Sequence, residues 1–494
     1  MKIRYLGWLL FGLCLTAPII SLQATAETIV TQSTIDRSSL VCTDDLAQNI
    51  DSILDRPKLR RAYWGIAISS IDTGDNIYSL NADKYFTPAS VAKLLTTAAA
   101  LLTLDSDFRI HTPIYSRGKP PYLTSLRLKG QGDPTISTQS LKNIVHQLRQ
   151  KGIKSIETLI IDDSYFSQPH IEPTWEWSDI YNYYAPAVNS TILDRNTVTL
   201  TLFPQQIGQP VKFSWSNSIA ARQWQINNRA ISAPPNTNYS IELNSVLGRS
   251  ILNISGKLPI DRQPDIWDLA IIDPASYFLE SWRQLLLLEG ITVDRAIVID
   301  RNLKYPGETE LTRIISPKIS DLITETNRES NNLYAEVLLK FLESKFNTNN
   351  PQKAVSLSLS RLNIDSNSYQ LVDGSGLSRH DRITPQTLVR VLQQMAQTQQ
   401  FQTYYNSLAI AGKNGTLVDR FKETKIQNHL WAKTGTLSGV ASLAGYLTLP
   451  NREPLVLAIM VNNSDLSGKE LRQAIDEIIL LLDNWNKCEV KHFK

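Results

Sequence analysis

Ser90 and Lys93 stand three positions apart in the stretch FTPASVAKLLTTAAALLTL, residues 86–104. Pro88 and Ala89 place the serine in the first turn of a helix, and an i, i+3 pair shares one helical face. Lys93 is surrounded by Val, Ala and Leu. Burial there disfavours the charged ammonium, and so does the positive end of the helix with its unsatisfied N–H groups. A neutral Lys93 is a base within reach of a hydroxyl that is a weak nucleophile on its own. S-x-x-K is common, however, and a lysine snorkelling out of a core helix writes the same letters.

Two further stretches bear on the choice. RESNNLYAE contains Ser330-Asn331-Asn332, and LWAKTGTLSG contains Lys433-Thr434-Gly435 in a strand-like setting. S-x-x-K, S-x-N and K-T-G in that order are the signature of the penicillin-recognising serine enzymes. Each residue type suits a task in acyl transfer. Ser330 passes a proton to the leaving amine. Asn332 offers an amide to Lys93 and to the substrate backbone. Lys433 is a fixed cation for a terminal carboxylate, and Thr434 adds a hydroxyl to the same anion. Gly435 leaves room for substrate along the strand edge. The N–H groups of Ser90 and Thr436 form an oxyanion hole. Taken singly, Ser330 is also a helix cap, Lys433 an edge-guarding lysine and Gly435 a bulge. All three in this order select the catalytic reading.

These residues lie far apart in a chain of 494, long enough for two or three domains. Composition is globular, with 42% hydrophobic and 20% charged residues. A net charge of +3 leaves no global footprint for nucleic acid. The N-terminus has a basic start (Lys2, Arg4), an apolar run from Leu6 to Ile20 and the A-x-A site Ala24-Thr25-Ala26. Residues 1–26 therefore read as a signal peptide, and the mature chain as an exported protein of the periplasm or another extracytoplasmic wall space. No later segment reaches about 18 uninterrupted apolar residues, so the mature form is not membrane-spanning. After cleavage Cys42 and Cys488 remain. Export permits a disulfide between them, and two unpaired thiols fit equally well. The six histidines are scattered without ligand spacing, so neither a metal nor another cofactor is expected.

Helical periodicity marks residues 43–57, 138–152, 274–290, the stretch from Ser330, TPQTLVRVLQQMAQT and the C-terminal ELRQAIDEIILLLDNWNK. Strand-like runs occupy 63–86, much of 110–305, and the pair ASLAGYLTL and LVLAIMVNN near the end. Both chain ends thus feed one α/β layer, an antiparallel sheet flanked by helices. The expected fold is α/β and multidomain. Residues 27–109 and 306–494 form the catalytic domain, 110–196 and 261–305 an inserted domain, and 197–260 a nested β-rich one.

The length between the first two motifs, with further stretches, narrows the resemblance. GQGDPTIS, LVDGSGLSRHDRITP, NGTLVDRF and AKTGTLSGVASLAGYL resemble the class C low-molecular-mass penicillin-binding proteins, the D-alanyl-D-alanine carboxypeptidase/endopeptidase family. The resemblance covers essentially the whole mature chain. It implies a serine β-lactamase/DD-transpeptidase-like domain, an acyl-enzyme on Ser90, and peptidoglycan stem peptides and β-lactams as partners. It also implies that Arg379 sits near the cleft. Asp162, with Asp163 as the alternative, would meet the amino end of a diamino-acid side chain, and Phe166 would line that pocket. Ser438 stands where relatives often carry Gln, in a substrate-contact position. A serine β-lactamase and a non-catalytic wall-binding protein are the rival readings.

Overall fold

The computed structural model of the chain describes residues 43–485. Residues 1–26, expected to be a signal peptide, and both Cys42 and Cys488 lie outside the described residues. None of the described helices is long and apolar enough to cross a membrane.

The two ends of the chain meet in one six-stranded antiparallel sheet. Its order is Ala409–Ile410, Leu430–Leu437, Val440–Leu447, Leu455–Asn462, Tyr63–Ser70, Asn76–Leu80. Tyr63 pairs with Asn462 and Ser70 with Leu455, so the N-terminal strand is zipped to the C-terminal one over its full length. Val440–Leu447 and Leu455–Asn462 are buried at every position. Their side chains alternate between two cores, as the two-residue period of a strand requires. Ala444, Tyr446, Val456, Ala458 and Met460 face the helices Lys93–Leu104, Asn332–Lys345, Pro351–Leu359 and Pro385–Ala396. Leu443, Leu457, Ile459 and Val461 face Thr43–Leu54 and Gly468–Leu481. Ala98, Ala99 and Ala100 are small enough to bring Lys93–Leu104 into the centre of the first core, where it is almost wholly buried.

The insert leaves and re-enters through adjacent strands, Arg109–Lys119 and Thr309–Lys318, which pair antiparallel. They belong to a five-stranded sheet of order Thr292–Ile299, Ser155–Asp162, Tyr122–Lys129, Arg109–Lys119, Thr309–Lys318. The first three strands of that order run parallel to one another. Parallel neighbours need long crossovers, and the helices Thr138–Gln150 and Pro274–Leu288 lie on the crossovers. The border expected at 305/306 thus falls before the last strand of the insert's sheet. Residues 197–270 form three small sheets. Their apolar residues, Leu200, Leu243, Leu252 and Ile254 among them, share one continuous cluster with Leu126, Leu159, Phe278 and Trp282. The nested strands are therefore packed as part of the insert's core.

One buried cluster of charges inside the insert is neutralised locally. The Arg127 guanidinium donates to Asp162 at 2.8 Å and to Glu308 at 2.6 Å, and sits over the rings of Tyr115 and Tyr305 at 4.7 and 4.5 Å. All three charged side chains are nine-tenths buried or more. Arg127→Ala would leave two carboxylates without their cation, a loss of about 3–5 kcal/mol. Urea unfolding followed by tryptophan fluorescence is expected to show that loss. A midpoint equal to that of the wild type would refute the assignment.

Candidate active site

Ser90 lies in a short 3-10 turn, Ala89–Ala92, which runs directly into the helix Lys93–Leu104. Ala89 has φ +51°, a left-handed conformation that costs an L-residue energy and sets the sharp entry of the turn. Lys93 is fully buried. Its Nζ donates to Ser90 Oγ at 2.9 Å, to Asn332 Oδ1 at 2.6 Å and to the Ser375 carbonyl at 2.6 Å. Burial lowers the Lys93 pKa from 10.5 to about 8, against the opposing pull of the Asp373, Glu336 and Asp381 carboxyls. Desolvation wins that contest.

Ser330 and Asn332 stand where the helix Ile319–Arg328 gives way to Asn332–Lys345. Ser330 has φ +61°, and Asn331, not Ser330, caps the second helix by accepting from Tyr334 N. Asn332 holds Lys93 with its oxygen and donates through Nδ2 to the Tyr184 carbonyl at 2.7 Å. Ser330 Oγ accepts from Lys433 Nζ at 2.9 Å. Lys433 was expected as a fixed cation. It is fully buried, and burial, with Lys93 nearby, holds its pKa well below the usual lysine range. A bound carboxylate favours its charged form.

The K-T-G strand pairs along its whole length with Val440–Leu447. On its other side it meets Ala409 and Ile410 only at Ala432 and Trp431. Residues 433–437 therefore offer an edge on that side. Gly435 has a different reason from the one expected. A Cβ there would lie 2.2 Å from Ser442 Oγ and 2.9 Å from both Pro88 O and Ser90 N. The strand backbone is packed against the turn that carries Ser90. Thr434 Oγ1 donates to Thr416 Oγ1 at 2.8 Å.

Ser90, Ser330, Asn332, Thr436 and Ser438 line one cleft of about 800 Å³, with Arg379 and Thr416. Arg379 donates to Glu176 of the insert at 2.8 Å and to the Ser438 carbonyl at 3.2 Å. It thus spans from the insert to the loop after K-T-G.

Asp162, Asp163 and Phe166 are not brought to this cleft. Asp162 is 1% exposed and held by Arg127. Asp163 is buried and accepts from Thr191 N, Thr191 Oγ1 and Asn189 Nδ2. Phe166 packs with Leu333, Val337 and Phe341 of the Asn332–Lys345 helix. The carboxylates that do line the cleft are Glu176, Asp179, Asp268, Glu325 and Glu329. Sequence reasoning missed these, and also Thr416 and Tyr184. NGTLVDRF and DGSGLSR stood out as stretches, but a backbone carbonyl such as that of Tyr184 leaves no letter to read.

This sheet, helix arrangement and serine–lysine centre define a penicillin-recognising serine acyl-transfer enzyme fold. Residues 46–484 match the D-Ala-D-Ala carboxypeptidase 3 (S13) family, and the chain belongs to it. It is 30% identical to penicillin-sensitive carboxypeptidase A of Dictyostelium discoideum, over 85% of this chain and 87% of that one. It is 28% identical to the D-alanyl-D-alanine carboxypeptidase of Actinomadura sp. (strain R39), over 86% and 82%. The crystal structure of penicillin binding protein 4 (dacB) from Haemophilus influenzae superposes with a TM-score of 0.76 at 23% identity, covering 90% of this chain and 99% of that one.

Gly435→Ala tests the packing of strand on turn. The added methyl displaces Ser90, and a displacement near 1 Å costs about 10²-fold in rate. Acylation by a penicillin is expected to fall by that order, with the fold intact by circular dichroism. An unimpaired variant would show that the turn yields freely.

Proposed function

We propose that this chain is a serine-type D-Ala-D-Ala carboxypeptidase with DD-endopeptidase activity on peptidoglycan stem peptides, and that β-lactams acylate the same serine. The observation that carries this is a fully buried lysine amine 2.9 Å from the Ser90 hydroxyl. Ser90 Oγ forms a bond to the substrate carbonyl carbon as its proton moves to Lys93 Nζ. The carbonyl oxygen gathers charge, and the N–H groups of Ser90 and Thr436 are the donors assigned to it. The C–N bond breaks, and the leaving amine takes a proton through Ser330, which Lys433 holds at 2.9 Å. Water then adds to the acyl carbon, and Ser90 leaves with a proton. Lys433 and Thr434 are assigned to the terminal carboxylate, and Arg379 and Ser438 to the cleft wall. The N-terminal sequence supports export to the wall space where such a substrate lies.

Labelling with a fluorescent penicillin is expected for the wild type and absent in Ser90→Ala; an unlabelled wild type would sink the proposal. Mass spectrometry of monomeric and cross-linked muropeptides then reads the two activities. Loss of terminal alanine without cleavage of cross-links would remove the endopeptidase part.

Acylation also has a pH dependence of fixed sign. It needs the free amine of Lys93, which increases as pH rises through the lowered pKa of about 8. At pH 7 about one-tenth is free, and the rate is expected to climb roughly tenfold per unit below pH 7, about fivefold from 7 to 8, and to level off by about pH 9. A profile still rising towards pH 10 would mean an unshifted lysine.

A further inference from the structure

Two of the three groups that Lys93 touches are backed by residues of the insert. Asn332 is held by the Tyr184 carbonyl. The other is the Ser375 carbonyl, on a loop, residues 372–378, folded around one side chain. Asp373 Oδ1 accepts from Ser375 N at 3.1 Å and Gly376 N at 2.6 Å. Its Oδ2 accepts from Ser378 N at 2.7 Å and from the Trp175 indole Nε1 at 2.9 Å. Trp175 belongs to the insert, is 7% exposed, and packs with Ala185 and Leu377. The loop is pinned from other sides too. Glu336 accepts from Gly374 N, and Thr96 Oγ1 donates to the Gly374 carbonyl at 2.8 Å. Gly376, at φ +75°, lies so close that a Cβ would be 1.9 Å from the Ala89 carbonyl. The loop thus presses on the turn that carries Ser90 while its carbonyl meets Lys93.

We infer that Trp175 and Asp373 are positioning residues for Lys93. The insert's indole N–H fixes the carboxyl that folds the 372–378 loop, and that loop aims the Ser375 carbonyl at the general base. Two acceptors in fixed places, Asn332 Oδ1 and the Ser375 carbonyl, take the two N–H groups of the free amine and leave its lone pair for the Ser90 hydroxyl. The insert is then a working part of the catalytic centre, even for small substrates that need no contact with it. This inference rests on the reading of Ser90 as nucleophile and Lys93 as base.

Time courses of fluorescent-penicillin acylation over a range of concentrations, on the full chain, test it. They separate the limiting acylation rate from the half-saturating concentration. Trp175→Phe keeps the ring and deletes the N–H. It is expected to lower the limiting rate roughly tenfold, the worth of a hydrogen bond to a carboxylate, with half-saturation unchanged. Asp373→Asn, which turns acceptors into a mismatched amide, is expected to lower it by about 10²-fold. Trp177→Phe, at a residue 53% exposed, is expected to behave as wild type. Wild-type limiting rates in Trp175→Phe and Asp373→Asn would overturn the inference while leaving the Ser90 reading intact. A change confined to half-saturation would also overturn it, because the segment would then only shape the mouth of the cleft. If Asp373→Asn fails to fold, Trp175→Phe alone decides. A wild type that takes no label at all overturns the reading and the inference together.

Discussion

Everything in this molecule depends on keeping one amine out of water. The Lys93 pKa, brought from 10.5 to about 8, corresponds to roughly 3 kcal/mol of lost preference for the charged form. That sum is drawn from burial of the Lys93–Leu104 helix by the helices packed around it, Ile319–Arg328 and Asn332–Lys345 among them, and by the sheet. The alanines of the helix matter as much as its leucines, because close approach excludes solvent from Nζ.

The acids beneath the site set how far the shift can go. Glu336, Asp373 and Asp381 all pull Lys93 back towards its charged form. Burial, with Asp373 as a like-charged neighbour, raises Glu336 to about 8 and Asp381 well above the carboxylate range. Glu336 therefore carries its proton near neutrality, and the upward shift of Asp381 works in the same direction, so the two exert less pull than their number suggests. Their role there is to receive the backbone N–H groups of Gly374 and Val372.

The five letters Ser90, Lys93, Ser330, Asn332 and Lys433 were legible because they meet through their own side chains and lie in short motifs with fixed spacing. The sheet built from both chain ends was legible too, since Val440–Leu447 and Leu455–Asn462 are continuous apolar runs buried on both faces. Asp162 misled because an aspartate at a strand end looks the same whether it faces a ligand or Arg127, whose partner choice is set across the sheet. Gly435 was read as space for substrate when the neighbour was Ser442, seven residues on and across a hairpin. The parallel strands of the insert escaped because their crossovers run through long connections, and sequence order says nothing about which strands become neighbours. Groups that act through the backbone, the carbonyls of Tyr184 and Ser375, have no sequence signal at all.

The neighbouring strands Arg109–Lys119 and Thr309–Lys318 bear on how such a molecule changes over evolutionary time. An exit and a return lying side by side allow a host domain to gain a guest with little disturbance, since the host's own strands need not move apart. Loss in the other direction is not symmetric. The segment between the insert's sheets has come to hold Asn332, Asp373 and Arg379. A lineage that discarded the guest would need new partners for each at the same moment. Acquisition of this kind is easy to begin and hard to reverse.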